Sequence, residues 1–256
     1  GHPMRVTFLG TGTSQGVPVI GCDCEVCQSL DYRDKRLRSS VHIEVDNQSI
    51  VIDTGPDFRQ QMLRERTQKL DFVLFTHSHK DHTAGLDDVR AFNFKQHMDM
   101  PLYGTRQVLD QLKTEYYYAF LEKKYPGSPQ LQLNEIDDNP FEVNGIKIIP
   151  LPVTHLHMPV LGFRIKDFSY ITDAKHISDN TFHRLEGTKV LVLNALQKEP
   201  HISHFNLEEA IAVAKKVEAE KTYFTHISHK MGLHSEVAQE LPPSIELSYD
   251  GLVITV

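Results

Sequence analysis

Four side chains that can each give a lone pair to a cation fall within six residues: His77, His79, Asp81 and His82. They follow the apolar run Phe72-Val73-Leu74-Phe75 in the segment Thr76-His77-Ser78-His79-Lys80-Asp81-His82. Imidazole is the commonest protein metal ligand, and mixed nitrogen and oxygen donors suit divalent transition metals. In extended backbone, alternate side chains share a face. His77 and His79 can therefore address one cation, while Asp81 and His82 turn toward a second. Two cations about 3.5–4 Å apart can share a bridging hydroxide and clamp the attacking and leaving oxygens of a displacement. A histidine-rich surface loop would account for a lone His-x-His. It is a poor account of His-x-His-x-Asp-His directly after a buried-type strand. Gly85 then frees the backbone close to the cluster.

A second cluster holds all three cysteines of the chain, Cys22, Cys24 and Cys27. An odd, tightly spaced set is a poor disulfide framework and a good start for a metal site. Structural zinc takes four ligands, so a histidine must complete a Cys₃His set. The best partner is His229, three residues after His226 in Thr225-His226-Ile227-Ser228-His229. The plainer reading is three reduced thiols in a metal-free loop.

The elements that must position these groups are short. Residues 5–9, 71–76, 146–153, 160–165, 168–172, 190–193, 222–225 and 252–256 read as strands. Residues 41–45 and 49–53 flank the polar tip Asp46-Asn47-Gln48 and read as a hairpin. Helices are expected over 56–66, after the histidine cluster, over 107–124 and over 206–218. Residues 124–129 read as a loop, because they hold Pro126-Gly127 and Pro129. Strands and helices mixed throughout favour a layered α/β architecture. Composition is that of an ordinary globular chain, with 256 residues, 40% hydrophobic and 24% charged. A formal net charge of −7 argues against a large polyanionic substrate, which usually meets a basic face. No run approaches the 18 or so apolar residues of a membrane span. Met4 reads as the natural start, Gly1-His2-Pro3 as an added leader, and the expected location is the cytoplasm.

Two other signals are set aside. Gly10-Thr11-Gly12-Thr13-Ser14-Gln15-Gly16 places its third glycine one position late for a dinucleotide fingerprint, and no helix opens after it. Tyr116-Tyr117-Tyr118 reads as helix packing, since no basic patch accompanies it.

The His77-to-His82 motif resembles the signature of the metallo-β-lactamase superfamily, and the resemblance extends over nearly the whole chain. It implies an αββα sandwich, two mixed β-sheets flanked by helices, as a single domain over 1–256. It implies one further ligand at each later strand end: His155 for the first metal, Asp173 as the bridging carboxylate, His226 for the second. His157 alternates with His155, whose spacing to Gly162 is closer to the family pattern. Without the resemblance, Asp173 would read as a helix N-cap or turn residue. Asp53-Thr54-Gly55 resembles the turn that supports the metal loop.

The Gly-rich start, the cysteine cluster and the late His-x-x-His together resemble one branch of that superfamily, the phosphoribosyl cyclic phosphodiesterase and its relatives. The branch implies a structural zinc on Cys22, Cys24, Cys27 and His229. It also implies a catalytic histidine, either His204 directly before a helix or His201. The expected function is hydrolysis of a small or cyclic phosphodiester by two divalent ions, manganese, zinc or iron. Asp81 would orient the nucleophile or take its proton, and His204 would protonate the leaving oxygen or hold the phosphate. The expected partner is the small phosphodiester itself, without membrane or nucleic acid, in a chain that can form a homodimer. Transfer-RNA tail processing would need a basic docking arm, and thioester hydrolysis does not bring the cysteine cluster. A rival of another class is a non-catalytic protein resembling the pyrroloquinoline-quinone biosynthesis relative, which lacks the full metal motif.

Overall fold

The computed structural model describes residues 3–256, so Gly1 and His2 of the expected leader lie outside the described residues. Branched and aromatic side chains make the short apolar runs into strands. β1 (Arg5–Gly10) pairs antiparallel with β2 (Ser40–Val45), which turns back into β3 (Gln48–Ile52). Asp46 and Asn47 make that turn with φ of 48° and 62°. Two consecutive left-handed residues match the twist of the flanking strands, and Asp and Asn tolerate them. α1 (Phe58–Glu65) leads to β4 (Phe72–Leu74), which lies parallel to β3. After α2 (Lys80–Thr83) and α3 (Arg90–Gln96), β5 (Met100–Gly104), α4 (Arg106–Glu115) and β6 (Leu131–Glu135) extend the parallel part of this sheet.

The second sheet follows. β7 (Phe141–Val143), β8 (Ile146–His155), β9 (Met158–Ile165) and β10 (Phe168–Ile171) form an antiparallel run. β11 (His176–Ile177) pairs with β8, and α5 (Asp179–Leu185) packs behind it. β12 (Val190–Asn194), α6 (Leu207–Val217), β13 (Lys221–Thr225), α7 (His234–Glu240) and β14 (Ile245–Leu247) add parallel strands. β15 (Val253–Thr255) then returns to pair with β1. The strand orders are β15-β1-β2-β3-β4-β5-β6 and β11-β8-β9-β10-β12-β13-β14, with β7 beside β8. Phe8, Ile43, Ile52 and Leu74 meet Ile148, Phe163, Tyr170 and Val192 between the sheets. Phe58, Leu86 and Leu112 pack under the helices of the first sheet, and Leu151, Leu193 and Ala210 under those of the second. These are the two mixed sheets flanked by helices that the resemblance implied.

The expected helix over 107–124 ends early. α4 stops at Glu115, and Tyr117–Phe120 forms a short 3₁₀ turn. The Tyr116 hydroxyl donates to the Thr83 carbonyl at 2.6 Å, and Tyr118 donates to Asp87 at 2.6 Å. Satisfying those hydroxyls under the histidine loop outweighs continuing the helix, which sheds little packing by ending. The expected helix over 56–66 starts at Phe58, and the strand over 71–76 shortens to Phe72–Leu74. β5, β6, β7, β11, β14, α5 and α7 had no clear pattern. β5 holds Pro101 and Gly104, and β6 is a polar edge strand.

The loop after β4 is stitched onto the turn after β3. Thr54 N donates to His82 O and Gly85 N donates to Thr54 O, each at 2.9 Å. A Cβ on Gly85 would stand 2.0 Å from Gly55 O, and one on Gly55 would stand 2.3 Å from Asp81 O. Only glycine allows that approach, and it holds Asp81 in place. Gly85→Ala is expected to lower the unfolding free energy by about 1–3 kcal/mol, the usual cost of overpacking, read from urea denaturation.

Candidate metal centre

All the expected ligands emerge at one end of the two sheets. His77 follows β4, His155 ends β8, Asp173 follows β10, and His226 follows β13. Asp53, Asp173 and His226 sit at positive φ, of 67°, 61° and 57°. Left-handed residues of this kind are held against strain by their surroundings and gather at functional sites.

Asp173 lies at the middle of the cluster, 2% exposed. One carboxylate oxygen is 2.8 Å from His77 Nε2 and 3.4 Å from His82 Nε2, and the other is 2.7 Å from His226 Nε2. Asp81 stands 3.0 Å from His82 Nε2 and 3.7 Å from His226 Nε2. Donor atoms of Asp81, His82, Asp173 and His226 lie within 4.8 Å of one another, as do those of His77, His79 and Asp173. Asp173 belongs to both sets. His155 stands farther out, its ring centroid 5.6 Å from that of His79 and 6.3 Å from that of His77. His155 Nδ1 meets the Ser203 carbonyl at 2.9 Å. His157 occupies the two-residue turn between β8 and β9 and is exposed, so the structure brings His155 and not His157 to the other histidines.

A second layer orients these groups. His82 Nδ1 is 2.6 Å from Asp53, which also accepts from Thr76 N at 2.8 Å and Thr76 Oγ1 at 2.7 Å. Donation from Nδ1 directs Nε2 at Asp81 and Asp173, the arrangement usual behind metal-binding histidine. His77 Nε2, His82 Nε2 and His226 Nε2 are buried and make no hydrogen bond, despite their approach to carboxylates. Buried polar atoms are normally paired. Imidazole nitrogens without partners, converging on carboxylate oxygens, fit a pair of divalent cations as the missing partners.

The electrostatics agree with that geometry. Burial opposes a charge on Asp173, yet His226, His82 and His77 hold its carboxyl well below the usual range. Burial likewise opposes a charge on Asp81, and His82 and His226 outweigh it. Burial also works against a charge on His226, but Asp173 and Asp81 pull it up to about 9. His204 behaves oppositely: burial and the charge of His226 push it down to about 3. Its ring is 4.5 Å from that of His155 and 5.0 Å from that of His226, and its Nδ1 is buried without a partner. His201 lies one step outward, 5.3 Å from His204, with Nδ1 accepting from Ser203 N at 3.1 Å. The structure therefore places His204, not His201, against the ligand histidines.

The cysteine cluster also assembles. The three thiols are unpaired by disulfide, and His229 Nδ1 stands 3.4 Å from Cys22 Sγ, 3.4 Å from Cys24 Sγ and 3.5 Å from Cys27 Sγ. The Cys27 backbone N–H and the His229 ring hold the Cys24 thiol down to about 6, whereas burial pushes Cys27 up to about 11. Three thiols around one point admit one thiolate readily and resist a second. A cation would relieve that repulsion, so the donor set fits zinc.

Sequence reading named Asp53 for this supporting layer and missed Thr76 and Ser203. A signal for it exists: a threonine directly precedes the ligand in Thr76-His77, Thr154-His155, Thr172-Asp173 and Thr225-His226. Thr172 Oγ1 donates to Asp173 at 3.0 Å. A cavity of about 510 Å³, where Thr76 and Thr154 meet Ile136, Val160 and Leu161, has none of the expected ligands in its lining. A larger one, about 690 Å³, is lined by Arg5, His42, Glu44, Ser49 and Lys69 and touches none of the cluster residues. Among the described residues no helix is long and apolar enough to cross a membrane.

Comparison with known proteins agrees with this architecture. The beta-lactamase superfamily domain matches residues 48–227. The chain is 40% identical over 252 residues, 97% of its length, to an octanoyltransferase of Porphyromonas gingivalis (strain ATCC BAA-308 / W83), of which it covers 51%. It thus spans about half the length of that curated relative. A crystal structure described as a new diphosphatase from the PhnP family superposes with a TM-score of 0.94 at 40% identity, covering 100% of this chain and 98% of the other. Zn(2+)-bound PqqB from Methylobacterium extorquens shares the fold, with a TM-score of 0.80 at 18% identity over 98% of this chain and all of that one. The chain belongs to the beta-lactamase superfamily, in its PhnP-like branch.

Proposed function

We propose that the chain is a metal-dependent hydrolase of a small phosphoric ester or anhydride, a phosphodiester above all. The observation that carries this reading is Asp173, one carboxylate shared between two ligand sets. His77, His79 and His155 with Asp173 would hold one cation, and Asp81, His82 and His226 with Asp173 the other. Manganese, zinc and iron all suit these donors. When bound, such a pair supplies an acidified water and neutralises charge on the phosphoryl oxygens. The diphosphatase description of the 40%-identical neighbour points to the same bond class, P–O. The octanoyl transfer named for the Porphyromonas relative belongs to a protein about twice this length and assigns nothing to the part shared with this chain.

The residues have separable tasks. Asp81 is ionised, and its side chain is 13% exposed at the edge of the cluster, where it can orient the attacking water or take its proton. Burial and the charge of His226 lower the His204 pKa to about 3, which favours its neutral form. A neutral imidazole is a poor proton source at pH 7 but a sound N–H donor. Of the two expected tasks, holding a phosphoryl oxygen therefore fits His204 better than protonating the leaving group. A net charge of −7 is compatible with a small anionic substrate because local cations, and not the surface, would attract it. Cys22, Cys24, Cys27 and His229 would hold a structural zinc that pins the N-terminal loop beside His226.

Phosphorus NMR of the metal-loaded protein with a ribosyl 1,2-cyclic phosphate, 2′,3′- and 3′,5′-cyclic nucleotides, an aryl diester and a diphosphate ester tests the reading. Selective turnover of one member supports it. No turnover with two cations bound beside the zinc overturns it in favour of the non-catalytic class. Asp81→Ala is expected to abolish turnover while the thermal melt stays within a few degrees, and an active variant would defeat the role given to Asp81. His204→Gln should lower kcat/KM by about 100- to 1,000-fold, the usual loss of one donor to developing charge, without moving the limbs of the pH profile between 5 and 9. A displaced limb would instead identify His204 as a titrating acid. Cys24→Ser should remove about one zinc per chain and lower the melting temperature, read by elemental analysis and calorimetry, because a structural zinc contributes folding energy.

A further inference from the structure

The cavity of about 510 Å³ lies at the same end of the sheets as the cation cluster, although no ligand lines it. Thr76 enters its lining just after β4, Thr105 directly after β5 and Ile136 directly after β6. Those strands run parallel, so the three residues stand at carboxyl ends. On the second sheet, Thr154 comes one residue before β8 ends at His155, and Pro159 faces Thr154 across the hairpin. The carboxyl ends of parallel strands are the usual place for a small molecule to be taken up. The wall is also joined to the cluster. Thr76 Oγ1 meets His77 Nδ1 at 2.9 Å, while His77 Nε2 is 2.8 Å from Asp173. One imidazole ring thus reaches from the cation side to a residue of the cavity wall.

The volume is that of an ordinary small-molecule site. Ile136, Val153, Val160 and Leu161 supply branched aliphatic wall, each at most 8% exposed. No Phe, Tyr or Trp stands among the described residues that line it. The charged part of the lining is one-sided: Glu135, Asp137 and Asp138 against Arg106. An anionic group placed here would meet an excess of like charge. An uncharged aliphatic group loses nothing to that field and gains by leaving water.

We propose that this cavity takes the organic substituent of the substrate, an uncharged aliphatic group joined through oxygen to the phosphorus at the cations. The inference rests on the phosphoric-ester reading given above and narrows it to diesters of an aliphatic alcohol. The second phosphoryl group of a diphosphate would carry its charge into an acidic lining. The cavity contributes to binding and not to the displacement itself, so it acts on KM more than on kcat.

Isothermal calorimetry on the metal-loaded protein tests this without turnover. The probes are methyl-, butyl- and octylphosphonate, with ω-carboxyoctylphosphonate as the anionic-tailed member. Affinity is expected to rise by about fourfold for each methylene that enters the cavity, the usual gain of burying one. The anionic-tailed probe should bind at least about tenfold more weakly than octylphosphonate. Pro159→Asp charges the apolar wall at an exposed position and should cut the octyl-to-methyl ratio by at least about tenfold. Glu135→Lys/Asp138→Lys, also at exposed positions, should bring the anionic-tailed probe level with octylphosphonate. Methylphosphonate binding with no gain for longer chains, or a gain that Pro159→Asp leaves unchanged, overturns the cavity assignment while the phosphoric-ester reading stands. An anionic tail bound as well as a plain one by the unaltered protein overturns it too. Binding of none of the probes overturns the phosphoric-ester reading together with the assignment.

Discussion

A buried carboxylate is the constraint on which this molecule turns. An ionised group removed from water needs compensation close by, and Asp173 has three imidazoles within 3.4 Å. No single element could deliver them. His77 and His82 come from the first sheet's loop after β4, and His226 comes from the end of β13 in the second. The two sheets must therefore meet with their strand ends level, and the apolar layer between them sets that distance. Asp53 repeats the device one layer deeper, a second fully buried carboxylate satisfied by His82 and by both donors of Thr76. The glycine contact between residues 55 and 85 then fixes how far Asp81 can stray.

The share of this that was legible in the sequence follows from distance along the chain. His77, His79, Asp81 and His82 are contiguous, so their types and spacing declare the cluster. Cys22, Cys24 and Cys27 do the same, and His229 could be named because it lies three residues from another ligand. The strands with unbroken apolar runs, β1, β8, β9 and β12, were readable for the ordinary reason of burial. Asp173 stands alone after its strand, and residue type by itself would have made it a cap. The choice between His155 and His157 depended on where a two-residue turn falls, which pairing decides: His155 faces Met158 across the hairpin and His157 does not pair. The helix over 107–124 failed because the Tyr116 and Tyr118 hydroxyls find partners at Thr83 and Asp87, contacts that lie outside any helical period. β5 and β6 failed because proline, glycine and polar residues mask strands whose support comes from their neighbours.

The histidines illustrate how one residue type serves several ends in one cleft. His82 and His226 face carboxylates and are drawn toward the charged form, while His204, a few ångströms away and facing imidazoles, is driven to the neutral one. Proximity to the same cluster thus leaves identical side chains biased toward opposite protonation states. Burial pushes all three toward the neutral form, and only those facing carboxylates overcome it.

The separation of the cysteine cluster from its histidine has a consequence for the unfolded chain. Cys22 and His229 meet across 207 residues. A cation joining them would act as a cross-link that closes most of the polypeptide into a ring. On chain-entropy reasoning, a closure of that length removes freedom from the disordered state worth about 5 kcal/mol, comparable to a long-range disulfide. Reducing conditions would leave such a tether intact where a disulfide would open. Withdrawal of the ion would release it, and resistance to unfolding would then follow metal supply.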